Sequence, residues 1–317
     1  MGHAYVRKIN FMSFRTKSRT FFLLLPFSLF FSKGISQPFV DILNTSFQSL
    51  NTTYKDSSQL KNTTNNYFLN ITLPLKIDSQ NTVIVRFYGE NLYSMAKIGG
   101  TDLSYNLSSA LLPIGLQHET KSKKWKYLGL IMPKLSGHLK EDIGGNDFQL
   151  GAYGMATYTK NPNFKIKFGL FYNREFFGNF FVPLFAIDWR VNDRFQMYGI
   201  LPTTYRLEYA IKKQKLYAGL AFKSYTRSYH IDLKNDSKDS SNFYVRNQEL
   251  QVKAFVDFYI AKKFVLFGEF GRTINYSPKL YWSGTKDQVP GFNLYSPIKD
   301  NFFFNIGLAY RIRFDFN

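Results

Sequence analysis

Beyond residue 36, three histidines (His118, His138 and His230) are the side chains best suited to proton transfer or metal binding, and no two of them stand at a metal-ligand spacing. The chain has no cysteine, so neither a thiolate metal site nor a disulfide framework is available. A hydrolase needs a hydroxyl activated by a neighbouring base. Two triplets offer the raw material, Ser136-Gly137-His138 and His230-Ile231-Asp232. Placed at the rim of a membrane protein, such a pair could attack a lipid ester, and a rim-active lipid hydrolase or deacylase is the alternative reading. Both triplets are too common to carry it, so the expectation is a protein that is not an enzyme, with no catalytic residue, metal or cofactor. Gly99-Gly100 and Gly144-Gly145 precede no helical pattern, so they are not phosphate cradles.

The more informative residues are charges that alternate with apolar side chains. On the strand parity given below, one face carries Lys165, Lys167, Asp188, Arg206, Glu208, Lys223, Glu249, Lys253, Asp257, Glu269, Arg311 and Arg313. Both signs occur, with basic residues in excess. Two readings fit: a polar channel biased toward anions, or ion pairs that fill a narrow barrel and hold its strands in register. Bulky residues on the same face (Tyr153, Phe171, Phe255, Tyr259) favour partial occlusion.

The elements that would position these charges are strands. Period two dominates, and no helix-period segment of useful length appears. In the last strand Phe302, Phe304, Ile306, Leu308, Tyr310, Ile312, Phe314 and Phe316 alternate with Phe303, Asn305, Gly307, Ala309, Arg311, Arg313 and Asp315. Leu250, Val252, Ala254, Val256, Phe258 and Ile260 form a similar apolar face. A soluble sandwich also alternates. Strands of about ten residues, aromatic residues near strand ends, and short turns that contrast with long polar loops at Tyr229–Asn242 and Ser277–Asn301 tip the reading toward a membrane barrel. Inside hydrocarbon every backbone N–H and C=O needs a partner, so such a sheet must close on itself.

The fold expected is therefore all-β, a transmembrane antiparallel up-and-down β-barrel of about 14 strands. The strand cores fall near 39–50, 66–76, 82–91, 105–116, 125–134, 147–159, 163–173, 180–190, 195–201, 205–212, 216–228, 243–260, 264–276 and 302–316. If the two short segments around Leu201-Pro202 are one interrupted strand, the number becomes twelve.

Residues 1–36 read as a cleaved signal peptide. Arg7, Lys8, Arg15, Lys17 and Arg19 precede the apolar run Phe21 to Phe31, which is too short to span a bilayer, and small residues Gly34 and Ser36 follow. Met1 and Met12 are both acceptable starts. Without this segment's six basic residues the formal charge falls from +19 to about +13. Export removes the chain from nucleic acid, which is excluded as a partner. The barrel would occupy 37–317, in the outer membrane, as a monomer. Its expected partners are outer-membrane lipids and lipopolysaccharide, the barrel-insertion machinery, and a small polar or anionic solute.

The segment Pro183-Leu184-Phe185-Ala186-Ile187-Asp188-Trp189-Arg190-Val191-Asn192-Asp193-Arg194-Phe195, with Tyr198-Gly199-Ile200-Leu201-Pro202, resembles a stretch of an uncharacterised domain-of-unknown-function family of outer-membrane β-barrels from Gram-negative bacteria. The resemblance spans nearly the whole of 37–317. It implies an outer-membrane barrel and supplies no activity or site residues. Many barrel proteins end in an aromatic residue that the insertion machinery reads, whereas here Phe316 precedes Asn317. The role that follows is non-enzymatic: passage or binding of a small polar or anionic solute, or a structural part in the envelope.

Overall fold

Each alternating segment pairs antiparallel with the next, and the last returns to the first. The computed structural model describes residues 38–54, 61–98, 101–139, 143–233, 241–274, 279–282, 287, 298–299 and 301–314. The signal-peptide segment 1–36 and the residues Asp315 to Asn317 lie outside the described residues. Seventeen strand segments run in order: β1 Phe39–Tyr54, β2 Lys61–Lys76, β3 Asn81–Ile98, β4 Thr101–Leu111, β5 Ile114–Glu119, β6 Trp125–Gly137, β7 Phe148–Asn161, β8 Phe164–Glu175, β9 Gly178–Arg190, β10 Phe195–Ile200, β11 Thr204–Lys212, β12 Leu216–Leu233, β13 Ser241–Tyr259, β14 Phe264–Ile274, β15 Lys279–Trp282, β16 Ile298–Lys299 and β17 Phe302–Arg313.

These make fourteen staves. β4 and β5 both pair with β3 and with β6, and together form one stave broken at Leu112-Pro113, where proline cannot donate to the ladder. β14 and β15 share β13 as partner, and β16 and β17 share β1. β1 also pairs with β2, from Leu43↔Ile71 to Thr53↔Lys61, so the ring closes and no edge is left bare. The twelve-strand count is excluded. β10 and β11 are separate antiparallel strands in register from Phe195↔Tyr209 to Ile200↔Thr204, joined by a turn at Pro202-Thr203.

The alternation places apolar side chains outside. Phe302, Ile306 and Leu308 are 60%, 51% and 52% exposed, while their neighbours Phe303, Asn305, Gly307 and Ala309 are buried. Tyr67, Leu73, Phe168, Leu170, Leu220, Val252 and Val256 continue this outer apolar surface around the ring. An aromatic band edges it at one end: Trp125 packs against Tyr127, Tyr158 and Phe168, and Phe164 against Trp189.

One end of the barrel holds short turns at 77–80, 120–124, 162–163, 191–194, 213–215 and 260–263, together with both ends of the described chain. In the first of these, Asp78 accepts from the backbone N–H of Gln80 and Asn81 and from the Asn81 amide. Those bonds, led by the Asn81 side chain, hold its carboxyl below the usual aspartate value. The other end differs from the sequence expectation. Its connections include the two-residue link Phe176-Phe177, where Gly178 takes a φ of +104° open to glycine. The connection expected at Tyr229–Asn242 is strand at both of its ends, since β12 runs to Leu233 and β13 starts at Ser241. Strand segments β15 and β16 likewise lie within Ser277–Asn301. At roughly 3.3 Å per residue, the 18 residues of β12 reach about 60 Å, well past the 9–11 that cross a bilayer.

Candidate functional site

From Arg227 onward β12 no longer alternates. Arg227, Ser228, Tyr229 and His230 are only 6%, 0%, 1% and 3% exposed, so both faces are covered. A strand in a single-layered wall cannot bury both faces. This one leaves the wall and leans across the ring, taking β13 with it through pairs that run to Leu233↔Ser241. His230 forms a parallel bridge to Gly137 of β6, although β7 to β11 lie between the two along the wall.

Side chains fix the hairpin on both sides. Its former outer face meets β6, β7 and β8. Ser136 donates to the Ser228 carbonyl (2.7 Å), Gln149 donates to Ser228 Oγ and to Glu175 (3.1 Å each), and Ser228 Oγ donates to Glu175. His230 Nδ1 lies 2.9 Å from Asp147 Oδ1, and the Phe176 ring packs beside the imidazole. Its former inner face meets β3: Arg227 stands between Glu90 of β3 and Glu249 of β13, 2.7 Å from each, with Tyr225 under its guanidinium. Gly137 is required at the crossing. A β-carbon there would sit 2.6 Å from Asp147 Oδ1 and 2.9 Å from the His230 carbonyl oxygen. The linked amides Asn66, Gln48 and Gln251 tie β2 and β1 to β13 and hand on to Glu249.

Toward the short-turn end a second cluster joins β1, β10, β11, β13 and β17. Arg311 donates to Asp257 (2.5 Å) and Asp41 (2.6 Å), Arg206 to Asp257 (3.0 Å), and Arg313 to Glu208 (2.5 Å). Tyr198 also donates to Glu208, and Phe39 lies under the Arg311 guanidinium at 3.6 Å. On other walls Lys167 pairs with Asp188 (2.7 Å), and Lys253 with Glu269 (2.6 Å). Lys165 is buried opposite Asp188 in the β8–β9 ladder.

Two inward cations differ from the rest. Lys223 carries no carboxylate within ion-pair distance among the described residues, and its ammonium stands over Phe68 and Tyr225 at 5.9 and 4.4 Å. Arg86 shares its strand face with the buried Ile84 and Glu90, yet it is exposed, so water reaches the interior beside it. Each lies four residues below the Arg227–Glu90 crossing on its own strand, so the two face the barrel interior from opposite walls.

Of the twelve charges singled out from sequence, the structure brings Arg206, Glu208, Asp257, Arg311 and Arg313 into one cluster. It pairs Lys167 with Asp188 and Lys253 with Glu269, and sets Glu249 beside Arg227. The crossing itself was missed: Glu90, Asp147, Glu175, Arg227 and Ser228 were not singled out. Extending the β12 parity by four residues would have caught Arg227. His230 lies inside β12 and not in the loop expected at Tyr229–Asn242, and His118, between the cores expected at 105–116 and 125–134, lies in β5, where its Nδ1 meets Asn81. Ser136 and His138 do not form a hydrolytic pair, because the buried Ser136 hydroxyl donates to Ser228 while His138 is exposed. Among the described residues no three metal-ligating side chains gather.

The family model for a domain of unknown function, DUF6268, matches residues 37–311. No curated protein matches the chain. Among solved structures the chain is similar to the COG4313 outer membrane channel from Pseudomonas putida F1, at 10% identity over 86% of this chain and 96% of that one, with a TM-score of 0.46. It is also similar to the NanC porin (6% identity, 84% and 100% covered, TM-score 0.35). A third is the translocator domain of the autotransporter NalP from Neisseria meningitidis (10% identity, 85% and 88% covered, TM-score 0.33).

Proposed function

The chain belongs to the DUF6268 family, a domain of unknown function, and on that premise we propose that it is a non-enzymatic outer-membrane β-barrel that passes a small polar solute, anions preferred, through a lumen held shut by the β12–β13 hairpin. An apolar exterior of this extent suits hydrocarbon and not water. Export by the segment 1–36 would deliver the chain to the envelope, with lipopolysaccharide and phospholipid against the belt and the insertion machinery as a transient partner.

One observation carries the reading. Arg227 reaches from β12 to Glu90 on the opposite wall, below which Arg86 is in contact with water. A permanently solid barrel would have no use for a water-exposed, inward arginine without a carboxylate. The hairpin is held by polar contacts, which can exchange for water when it moves. The preference for anions rests on Arg86 and Lys223, two inward cations that lack a carboxylate within ion-pair distance among the described residues.

Conductance in planar bilayers tests this. The wild-type protein is expected to be mostly closed. Gly137→Ala, which wedges a methyl group between β6 and the hairpin, and Arg227→Ala, which frees it from Glu90, are expected to raise the open fraction. If both variants fold, insert and carry no current, the lumen is a solid structural core.

A further inference from the structure

The topology sorts the chain's charge in a way the linear sequence hides. The turns at 77–80, 120–124, 162–163, 191–194, 213–215 and 260–263 share one end of the barrel, and they hold Lys121, Lys123, Lys124, Lys213, Lys262 and Lys263, with Arg194 and Lys215, against the acidic Asp78 and Asp193 alone. All of these residues are exposed. One ion pair occurs among them, Lys213 with Asp193 at 3.2 Å. The connections at the opposite end mix signs along the sequence, as in Lys140-Glu141-Asp142 and Lys234-Asn235-Asp236. With eight basic and two acidic residues, these turns carry a net charge of +6 at one rim, nearly half of the basic excess of residues 37–317.

Two of these lysines mark its depth. Lys215 stands over the ring of Phe258 at 5.0 Å, and Lys263 over Tyr310 at 5.8 Å, both on outward-facing positions at the lower border of the apolar surface. Their ammonium groups thus stand over aromatic rings of the outer surface, at the border where a lysine can reach lipid headgroups. The aromatic band of Trp125, Tyr127, Tyr158 and Trp189 lies at the same end, where amphipathic rings meet headgroups.

We propose that this rim is a binding collar for anionic phospholipid headgroups of the leaflet at the short-turn end, so that the barrel gathers such lipids around itself. The collar rests on the membrane reading given above. Charge complementarity favours it, since a lysine near an anionic membrane surface improves binding about fivefold. So does continuity with the apolar belt, which already places lipid beside these turns. An acidic protein docked on the rim would have no need of ammonium groups at the belt's edge.

The test is reconstitution of the full chain into nanodiscs with equal phosphatidylcholine and phosphatidylglycerol, followed by mass spectrometry of the lipid that stays with the protein after detergent extraction. Retained lipid is expected to be enriched several-fold in phosphatidylglycerol at low salt, and less so at high salt. Replacing Lys121, Lys123, Lys124, Lys213, Lys262 and Lys263 by alanine should abolish the enrichment, while Lys279→Ala at the opposite end should leave it. Equal retention of the two lipids by inserted protein, or enrichment that survives the rim substitutions, overturns the collar. Failure of the folded protein to enter any bilayer refutes the membrane reading itself.

Discussion

Ile306→Arg is the sharpest test of which medium the outer face meets. Ile306 lies midway along β17, in register with Phe47 on one side and Gly268 on the other, and is 51% exposed. On a water-facing sheet, arginine at such a half-exposed position changes stability by no more than about 0.5 kcal/mol. At the midplane of a bilayer the same substitution costs about 2–4 kcal/mol, or roughly 30- to 700-fold in the folding equilibrium. Depth supplies the control. Tyr310, four residues toward the short-turn end and beside Lys263, could send an arginine into the headgroups, so Tyr310→Arg should cost only about 0–1 kcal/mol. Urea unfolding from phospholipid vesicles, followed by tryptophan fluorescence, measures both. Equal and small costs at the two positions would refute the lipid-facing belt and, with it, the conduit reading.

Charge reversal inside should act on selectivity rather than stability. Lys223→Glu combined with Arg86→Glu, in a Gly137→Ala background, should shift the reversal potential in a salt gradient from anion toward cation preference, and an unchanged potential would remove those two residues from the pathway. At the short-turn end Asp78 should titrate below an ordinary aspartate. Because its folded value is depressed, the stability it adds is present above the unfolded aspartate value and disappears as pH falls through the lower, folded one. Carbon-13 NMR of the aspartate carboxyls in micelles checks this, and Asn81→Ala should move the midpoint back up.

The ring itself was legible because lipid exerts one uniform demand on every stave. Phe302 to Arg313 had to alternate, and the same period gave all fourteen cores and the inward position of Arg311 and Asp257. The break at Leu201-Pro202 was ambiguous in sequence, since six-residue β10 is short for a spanning strand. Only the Tyr198↔Arg206 and Phe195↔Tyr209 pairing settles it as a separate stave. The crossing was not legible for a different reason. Past the bilayer, β12 and β13 face protein on one side and water or the opposite wall on the other, so polarity no longer reports direction. His230 reads as a loop residue, although it is a buried strand residue bridged to β6, and nothing in the polarity of Ser228 or Asn247 shows that both faces of their strands are covered.

That same feature bears on whether the hairpin can move. Its backbone hydrogen bonds are almost wholly internal: β12 pairs with β13 along its full length, and β13 with β15 from Phe243↔Trp282 to Arg246↔Lys279. Swinging back toward the wall would break one bridge to β6, at His230↔Gly137, and no other ladder pair among the described residues. The remaining cost is a handful of polar contacts, each of about 0.5–1.5 kcal/mol net, or 1.5–3 where a charge takes part, together with the rings of Phe176 and Phe177 against Tyr244. Part of this is recovered when water replaces the partners. A difference of several kcal/mol between two packings of one hairpin is the scale on which a solute with differential affinity shifts a population. An inward charge lattice spread evenly over every stave would instead have fixed the lumen in one state.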